Sequence, residues 1–458
     1  MRGIKKIIPI VLVTICSSQV IAQLKPIFQD GQTVSFIGNS ITQDGRYHML
    51  IHAFHATRFP SQKVKFINAG VSGDVAGGMI NRFEKDVLVY NPDYSLLMTG
   101  MNDMRGNLFK SGIEVSRTIS AQREEALDIY KQQTEKLVDL ILESGIKPIL
   151  MTPSIYDQTA ELKTPAAYGK NDALVKCAIH IRKLADKIQA PVVDLNSFML
   201  VLNEKVQEQD PTQTIVSQDR VHPKHTGHFT MAYKILETLN APKYVSKVVI
   251  DFKNKSVVEA QNCKVNLSSG ERLLGFQLAA NALPFPVTEE YQEGADLVPF
   301  QKQFNNEVLK VMGLKRGNYL LKIDEIPVDT LSSTELVNGI NLANNTLTPQ
   351  YIQAKQVFDL CLKYHQVMGK VRVIKLVEFS KLRDYKGADD LESKRAYLNK
   401  LVLEAEGKPW YPYLKKVTKQ YFEYLPNEES YWKEIDHFRD KIFNTNKPKT
   451  RVYQLSKI

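Results

Sequence analysis

Cysteine and tryptophan are scarce, with four and two residues in a chain of 458. Cys16 falls in the amino-terminal leader, and Cys177, Cys263 and Cys361 allow at most one disulfide, which excludes a disulfide scaffold. There is no CxxC pair and no Cys/His spacing of the zinc-site kind, so no metal and no cofactor is expected. Beyond the leader, no run approaches the roughly 18 consecutive apolar residues of a membrane helix, so no transmembrane segment is expected. Low-complexity tracts and short internal repeats are missing too, and 43% hydrophobic with 24% charged residues is the composition of a globular chain. Lys and Arg outnumber Asp and Glu by 60 to 50, yet the surplus is spread along the chain. It forms no basic cluster interleaved with aromatics, so no nucleic-acid partner is expected. A solvated surface, at most one that favours anionic polymers, accounts for it.

The leader itself is informative. Met1-Arg-Gly-Ile-Lys-Lys6 is basic, Ile7 to Ile15 is apolar, and Cys16 to Gln23 ends in small and polar residues. This pattern is too short to span a bilayer and reads as a Sec signal peptide over residues 1–22, cleaved after Ala22, which implies export to the periplasm or beyond. Ile15 stands where a lipoprotein anchor at Cys16 would need a small residue. Cleavage removes Arg2, Lys5 and Lys6 and leaves 57 basic against 50 acidic side chains, a net +7.

Residues 24–245 alternate between short apolar runs and helical periodicity. The runs are Val34–Gly38, Val64–Asn68, Tyr94–Met98, Pro148–Met151 and Pro191–Leu195, each bounded by Gly, Pro or Asn and apolar without clean alternation. Such runs suit strands buried on both faces of a parallel sheet. The clearest helix runs from Ser120 to Glu143, with Ala126, Ile129, Leu137, Ile141 and Leu142 predicted on its inner face. The order predicts an α/β fold, a parallel sheet with helices on both sides, whose chemistry belongs at the carboxyl ends of the strands. Residues 246–331 read as a small β-rich region, and 332–458 as a mainly helical one.

Four clusters fall where this fold places function. Gly38-Asn39-Ser40-Ile41-Thr42 follows the first strand, so Ser40 is expected on a strand-to-helix turn with its N–H near a helix N-terminus. Asn68-Ala-Gly70-Val-Ser-Gly73 follows the second, where a glycine lets the backbone approach a ligand and present a free N–H. Gly100-Met-Asn102-Asp103 follows the third, and the Asn102 amide is a further donor. Asp219-Arg-Val-His222-Pro223 comes last, a carboxylate three residues before a histidine, able to hold Nδ1–H and leave Nε2 free for a serine proton. Taken singly, the first reads equally well as a helix cap, and the others read better as a plain turn, a helix start and a surface pair. Together they supply a nucleophile, a base with its orienter and two or three oxyanion donors, the full requirement of acyl transfer.

In order and spacing these four clusters resemble the sequence blocks of the SGNH hydrolases, also called GDSL esterases, over residues 30–240. The resemblance implies a three-layer α/β/α flavodoxin-like fold. It places the nucleophile at Ser40, the base at His222, the orienting acid at Asp219 and the oxyanion hole at Ser40, Gly70 and Asn102. Asn39 stands where the family's usual motif has Asp. Arg46-Tyr-His48 and Ala56-Thr-Arg-Phe-Pro60 look like a secreted bacterial branch associated with polysaccharide breakdown, which implies a carbohydrate O-acetylesterase acting on small-molecule or glycan esters. A lipase or thioesterase, or a non-catalytic glycan-binding envelope protein, stays open as an alternative. Asn39, His48 and Asp103 are candidate pocket residues. His48, His52 and His55 share a helical face at a metal-ligating spacing, but no acidic residue is interleaved and apolar neighbours mark an adjoining core face, so packing is expected there.

Overall fold

The computed structural model describes residues 25–269 and 273–458. The signal peptide expected over residues 1–22 lies outside them. Strands β1 (Thr33–Gly38), β2 (Lys65–Gly70), β3 (Tyr94–Met98), β4 (Lys147–Met151) and β5 (Val192–Val193) form one parallel sheet in the order β2-β1-β3-β4-β5. In β1 to β4 every residue after the first is buried. That is the pattern of strands covered on both faces, and it explains why their sequences do not alternate. The covering helices are α1 (Ser40–Asp44), α2 (Arg46–Arg58), α3 (Ala76–Asp86), α4 (Arg117–Glu143), α5 (Lys170–Lys187), α6 (Leu195–Gln207) and α7 (His225–Thr238). The result is the three-layer α/β/α fold.

Strand order decides the location of the chemistry. Because β1 lies between β2 and β3, the turns leaving all three strands stand side by side at the carboxyl edge of the sheet. The chain reverses its direction of winding there, and a crevice opens. On α4 the buried stripe is Ala126, Tyr130, Thr134, Leu137, Val138 and Ile141. Ile129 and Leu142, expected inside, are 40% and 41% exposed; each sits one residue, or about 100° of helix, off the stripe.

The next segment is β6 (Tyr244–Asp251), β7 (Ser256–Gln261), β8 (Cys263–Ser269), β9 (Leu273–Ala280), α8 (Glu289–Leu297), α9 (Phe300–Phe304), β10 (Asn306–Met312), β11 (Asn318–Ile323), β12 (Ile326–Ser332), α10 (Ser333–Asn338) and β13 (Ile340–Asn341). Helices α11 (Pro349–Leu376), α12 (Leu391–Glu404), α13 (Tyr411–Tyr424) and α14 (Glu428–Thr445) follow, and the chain closes on strand β14 (Arg451–Lys457). Two sheets, β13-β10-β6-β7 and β12-β11-β14-β9-β8, share a core of Val248, Phe276, Val311, Leu321, Ile323 and Leu455. Here the strands do alternate, as β10 and β11 show, because one face meets solvent. β14, in a stretch read as mainly helical, pairs antiparallel with both β9 and β11.

Helices α11 and α14 return to the first sheet. Phe358, Tyr364, Val371, Ile435 and Ile442 belong to the same apolar cluster as the strands β1 to β4. The Tyr364 hydroxyl donates to the Phe66 carbonyl of β2 at 2.8 Å, and the Asn446 amide donates to the Ala56 carbonyl of α2 at 2.8 Å. Cys177, Cys263 and Cys361 are buried and unpaired. Among the described residues no helix is long and apolar enough to cross a membrane.

Candidate active site

β1 ends at Gly38, where any Cβ would collide with the Thr42 side chain. Asn39 then caps α1, its Oδ1 accepting from the Ile41 N–H at 3.1 Å. Asn39 is therefore buried helix-capping structure, and Ser40, the first helical residue, has its side chain left for other work. The Ser40 Oγ lies 2.8 Å from His222 Nε2, and His222 Nδ1 lies 2.6 Å from Asp219 Oδ2. An ionised carboxylate only accepts, so in the neutral ring Nδ1 carries the proton and Nε2 receives the Ser40 hydroxyl.

The loop that supplies the pair is tied down on several sides. Asp219 Oδ1 accepts from the Ser217 hydroxyl at 2.6 Å and from the N–H groups of Val221 and His222 at 2.9 and 3.0 Å. Between the two, Arg220 adopts a positive φ of 68° and sends its buried guanidinium to the carbonyls of Thr164, Asp157 and Ala160. Pro223 bridges to Val216. Burial opposes charge on Asp219, but the hydrogen bonds from His222, Ser217 and the loop N–H groups outweigh it and hold this carboxyl well below the usual carboxylate range. The hydrogen bond to Asp219 in turn raises His222 above its ordinary value, against a smaller opposing effect of burial. A hydroxyl bonded to an imidazole that is oriented by a carboxylate is poised to lose its proton and attack a carbonyl.

The oxyanion side departs from the sequence expectation. The Gly70 N–H, expected to be free, donates to Asn68 Oδ1 at 2.8 Å. A Cβ on Gly70 would strike the backbone of Thr42 and Gln43, so this glycine is needed for close approach of β2 to α1. In the turn after it, Ser72 N–H donates to Gln43 Oε1, Asp74 N–H to the Val71 carbonyl, Val75 N–H to Asp74 Oδ1, and Ala76 N–H to Asp103 Oδ1. Among the described residues only the N–H of Gly73 in this turn has no partner, and Gly73 takes a φ of 81°. The signal was legible, a second glycine three residues on. Asn102 reaches the same turn, its Nδ2 donating to the Asp74 carbonyl at 2.9 Å.

Asp103 accepts from the N–H groups of Gly100 and Ala76, both at 2.9 Å, and so clips the β3 turn to α3. With Asn102 it also lines a cleft of about 490 Å³ beside α3 and α4. His48, expected at the pocket, is instead wholly buried behind it. Its ring stacks on Phe36 at 4.7 Å and bonds through Nε2 to the Thr42 carbonyl at 3.0 Å, bracing α1 from beneath. His52 Nδ1 meets His365 Nε2 of α11 at 3.3 Å, and His55 Nε2 meets the Phe28 carbonyl at 3.2 Å, so the three histidines serve three different neighbours. Among the described residues no group of three His, Cys, Asp or Glu is placed to hold a metal.

These histidines have a consequence for acid stability. Burial lowers His48 and His55 to about 4 and His52 and His228 to about 3, from an ordinary 6.5. Above pH 6.5 the rings are neutral in both folded and unfolded chains and stability is undiminished. As pH falls below 6.5 only the unfolded chain takes up the protons, so stability drains away toward pH 4. The urea midpoint is expected to change little between pH 8 and 7 and to fall steeply between 6.5 and 4. The fall should be shallower in His48→Gln, and an unchanged midpoint down to pH 4.5 contradicts this account.

Three buried charges and the partly exposed Asp74, which no local pattern announces, connect the turns. Arg82 of α3 donates to Asp74 Oδ2 at 2.7 Å, to Asp86 Oδ2 at 2.5 Å and to the Gly38 carbonyl at 3.2 Å. Arg372 of α11 grips both oxygens of Asp86 at 2.7 and 2.8 Å and donates twice to the Gly70 carbonyl, at 2.9 and 3.1 Å. A residue 302 positions from Gly70 thus helps to hold the turn beside Ser40.

Residues 36–228 match the model of the GDSL-like Lipase/Acylhydrolase family. The chain is 25% identical over 227 residues to an acetylxylan esterase of Geobacillus stearothermophilus, a match covering 46% of this chain and 94% of that one. The solved structure of BT4096, a gut microbial diltiazem-metabolizing enzyme, is 29% identical and superimposes with a TM-score of 0.85 over 95% of this chain and 99% of its own. The structure of Axe2, an acetylxylan esterase from Geobacillus stearothermophilus, is 22% identical over 47% of this chain and 96% of its own, with a TM-score of 0.38.

Proposed function

We propose, for a chain that belongs to the SGNH/GDSL hydrolases and is a serine carboxylic ester hydrolase, that it removes acetyl groups from carbohydrate alcohols. The observation that carries the acyl-transfer part of this reading is the unbroken Ser40–His222–Asp219 hydrogen-bond chain at the carboxyl edge of the sheet. Neutral His222, oriented by Asp219, takes the Ser40 proton as Oγ attacks the ester carbonyl. The N–H groups of Ser40 and Gly73 and the Asn102 amide stabilise the oxyanion, and Gly70 serves by letting β2 close on α1. His222 then protonates the leaving alcohol, and water repeats the sequence on the acetyl-enzyme.

The acetyl assignment draws on the relative that is an acetylxylan esterase by its name. The neighbour that matches nearly the whole chain metabolises diltiazem by its title, so a small-molecule substrate is tested beside the glycan. The leader over residues 1–22 supports export to where acetylated polysaccharide is met.

The test is acetate release by the mature chain from acetylated xylo-oligosaccharides, together with a p-nitrophenyl ester series from acetate to octanoate and fluorophosphonate labelling read by peptide mass. Acetate release, a rate that falls with chain length and a label on Ser40 are expected. A preference for octanoate overturns the acetyl assignment, and a folded protein that takes no label overturns the nucleophile.

A further inference from the structure

The turn that carries Gly73 is one wall of a second cleft, of about 430 Å³, whose opposite wall is the α12–α13 hairpin. Ser72 and Gly73 line it on the sheet side; on the helix side Leu401, Ala405 and Leu414 form an apolar floor, with Lys381, Glu404, Lys408, Trp410 and Tyr413 round it. The hairpin is not loosely attached. Ala405, Leu414 and Val417 pack with Leu376 of α11 against Val71, the residue that follows β2. Tyr413 and Ser72 face each other across the cleft. The cleft wall and the oxyanion turn are therefore one packed unit, and a group seated in the cleft lies beside the Gly73 N–H.

The lining is selective in kind. Trp410, one of two tryptophans in the chain, is 55% exposed here, and Tyr413 is 43% exposed. Trp410 stands immediately before α13, with the Lys408 ammonium 5.6 Å from its ring centre. Two aromatic surfaces flanked by two ammonium groups, a carboxylate and a serine hydroxyl suit a ligand with a flat apolar face and a polar rim. A pyranose has that form, with C–H groups on its faces and hydroxyls round its edge. An acyl chain would need apolar walls throughout, which Lys381, Lys408 and Glu404 do not supply.

We propose that this cleft is a sugar-binding subsite in which Trp410 stacks on a pyranose ring of the ester's alcohol portion while its acetyl group lies at Ser40. The proposal rests on the esterase reading above and assigns the α12–α13 hairpin to substrate selection. The proposed platform is preorganised by the apolar anchor on Val71, so little ordering is required on binding.

The test compares wild type, Trp410→Ala and Trp410→Phe on acetylated xylotriose, on diltiazem and on ethyl acetate, whose alcohol offers no ring for Trp410 to stack on. Trp410→Ala should raise KM for acetylated xylotriose about tenfold and leave kcat/KM for ethyl acetate within about twofold, and Trp410→Phe should recover most of the loss. In a Ser40→Ala background, xylotetraose should perturb tryptophan fluorescence, and the perturbation should vanish in the Ser40→Ala/Trp410→Ala double variant. An unchanged KM for the glycan in Trp410→Ala overturns the subsite, as does an equal loss on ethyl acetate, which would make the hairpin a brace for the oxyanion turn. A loss confined to diltiazem also overturns it, in favour of aromatic alcohols. Failure of the esterase reading looks different, because wild type would then release acetate from none of the three.

Discussion

Replacing Ser40 by alanine is expected to lower kcat on acetyl esters by about 10⁴- to 10⁶-fold, with KM and thermal stability close to wild type. The stability part follows from the local geometry. Asn39, not Ser40, supplies the capping oxygen of α1, so the hydroxyl can be removed without exposing a helix end. What is lost is the 2.8 Å contact to His222 and, on the proposed mechanism, the atom that attacks the ester. His222→Ala should cost a similar factor, and the double variant no more than either alone, because a nucleophile and its base act as a unit. Steady-state kinetics by acetate release, with calorimetry on the same preparations, measure both halves. An alanine variant that keeps more than about 1% of kcat, against the loss expected for a nucleophile, would remove Ser40 from the chemistry. A large fall in stability would make it a structural residue.

Arg372→Met is the second large effect, and it acts at a distance. The guanidinium is 1% exposed, spans Asp86 and the Gly70 carbonyl, and shares Asp86 with Arg82. Burial disfavours charge on Asp86, and the two arginines beside it nevertheless keep its carboxyl below the ordinary value. Removing one partner of a buried ion pair leaves a charge uncompensated, at a cost of about 3–5 kcal/mol. The same substitution frees the Gly70 carbonyl, and with it the turn that bears Gly73. Urea unfolding should therefore shift to lower midpoints, and kcat should fall about tenfold or more with KM nearly unchanged, since distorted oxyanion geometry weakens the transition state rather than the ground state. Arg372→Lys keeps the charge but not the forked geometry and should recover stability better than kcat. A variant that loses stability yet keeps full kcat would reduce Arg372 to a packing role.

The local readings and the tertiary arrangement divide along a physical line. Strands β1 to β4 were legible because burial on both faces imposes uninterrupted apolar runs, and turn glycines bound them. Ser40, Asp219 and His222 were legible because a strand-to-helix turn and a three-residue Asp-to-His spacing are local features. His48 was misplaced because periodicity shows only that a residue lies on a buried face, not whether that face meets a pocket or a neighbouring helix. Ile129 and Leu142 were misplaced for a related reason, that a single residue of helical phase separates the inner stripe from solvent.

By itself, then, the sequence determined the alternation of strands and helices, the turns that carry the serine and asparagine, and the acid–histidine pair, all of which are set by interactions within a few residues. Only the tertiary structure decided which glycine keeps a free N–H, because the competing acceptor, Asn68 Oδ1, is a matter of side-chain geometry. Only it brought Arg372 to Gly70, seated β14 between β9 and β11, and set Trp410 across from Ser72 and Gly73. Those contacts join segments up to 300 or more residues apart, and a hydrogen bond across such a separation leaves no periodicity in either segment from which it could be read.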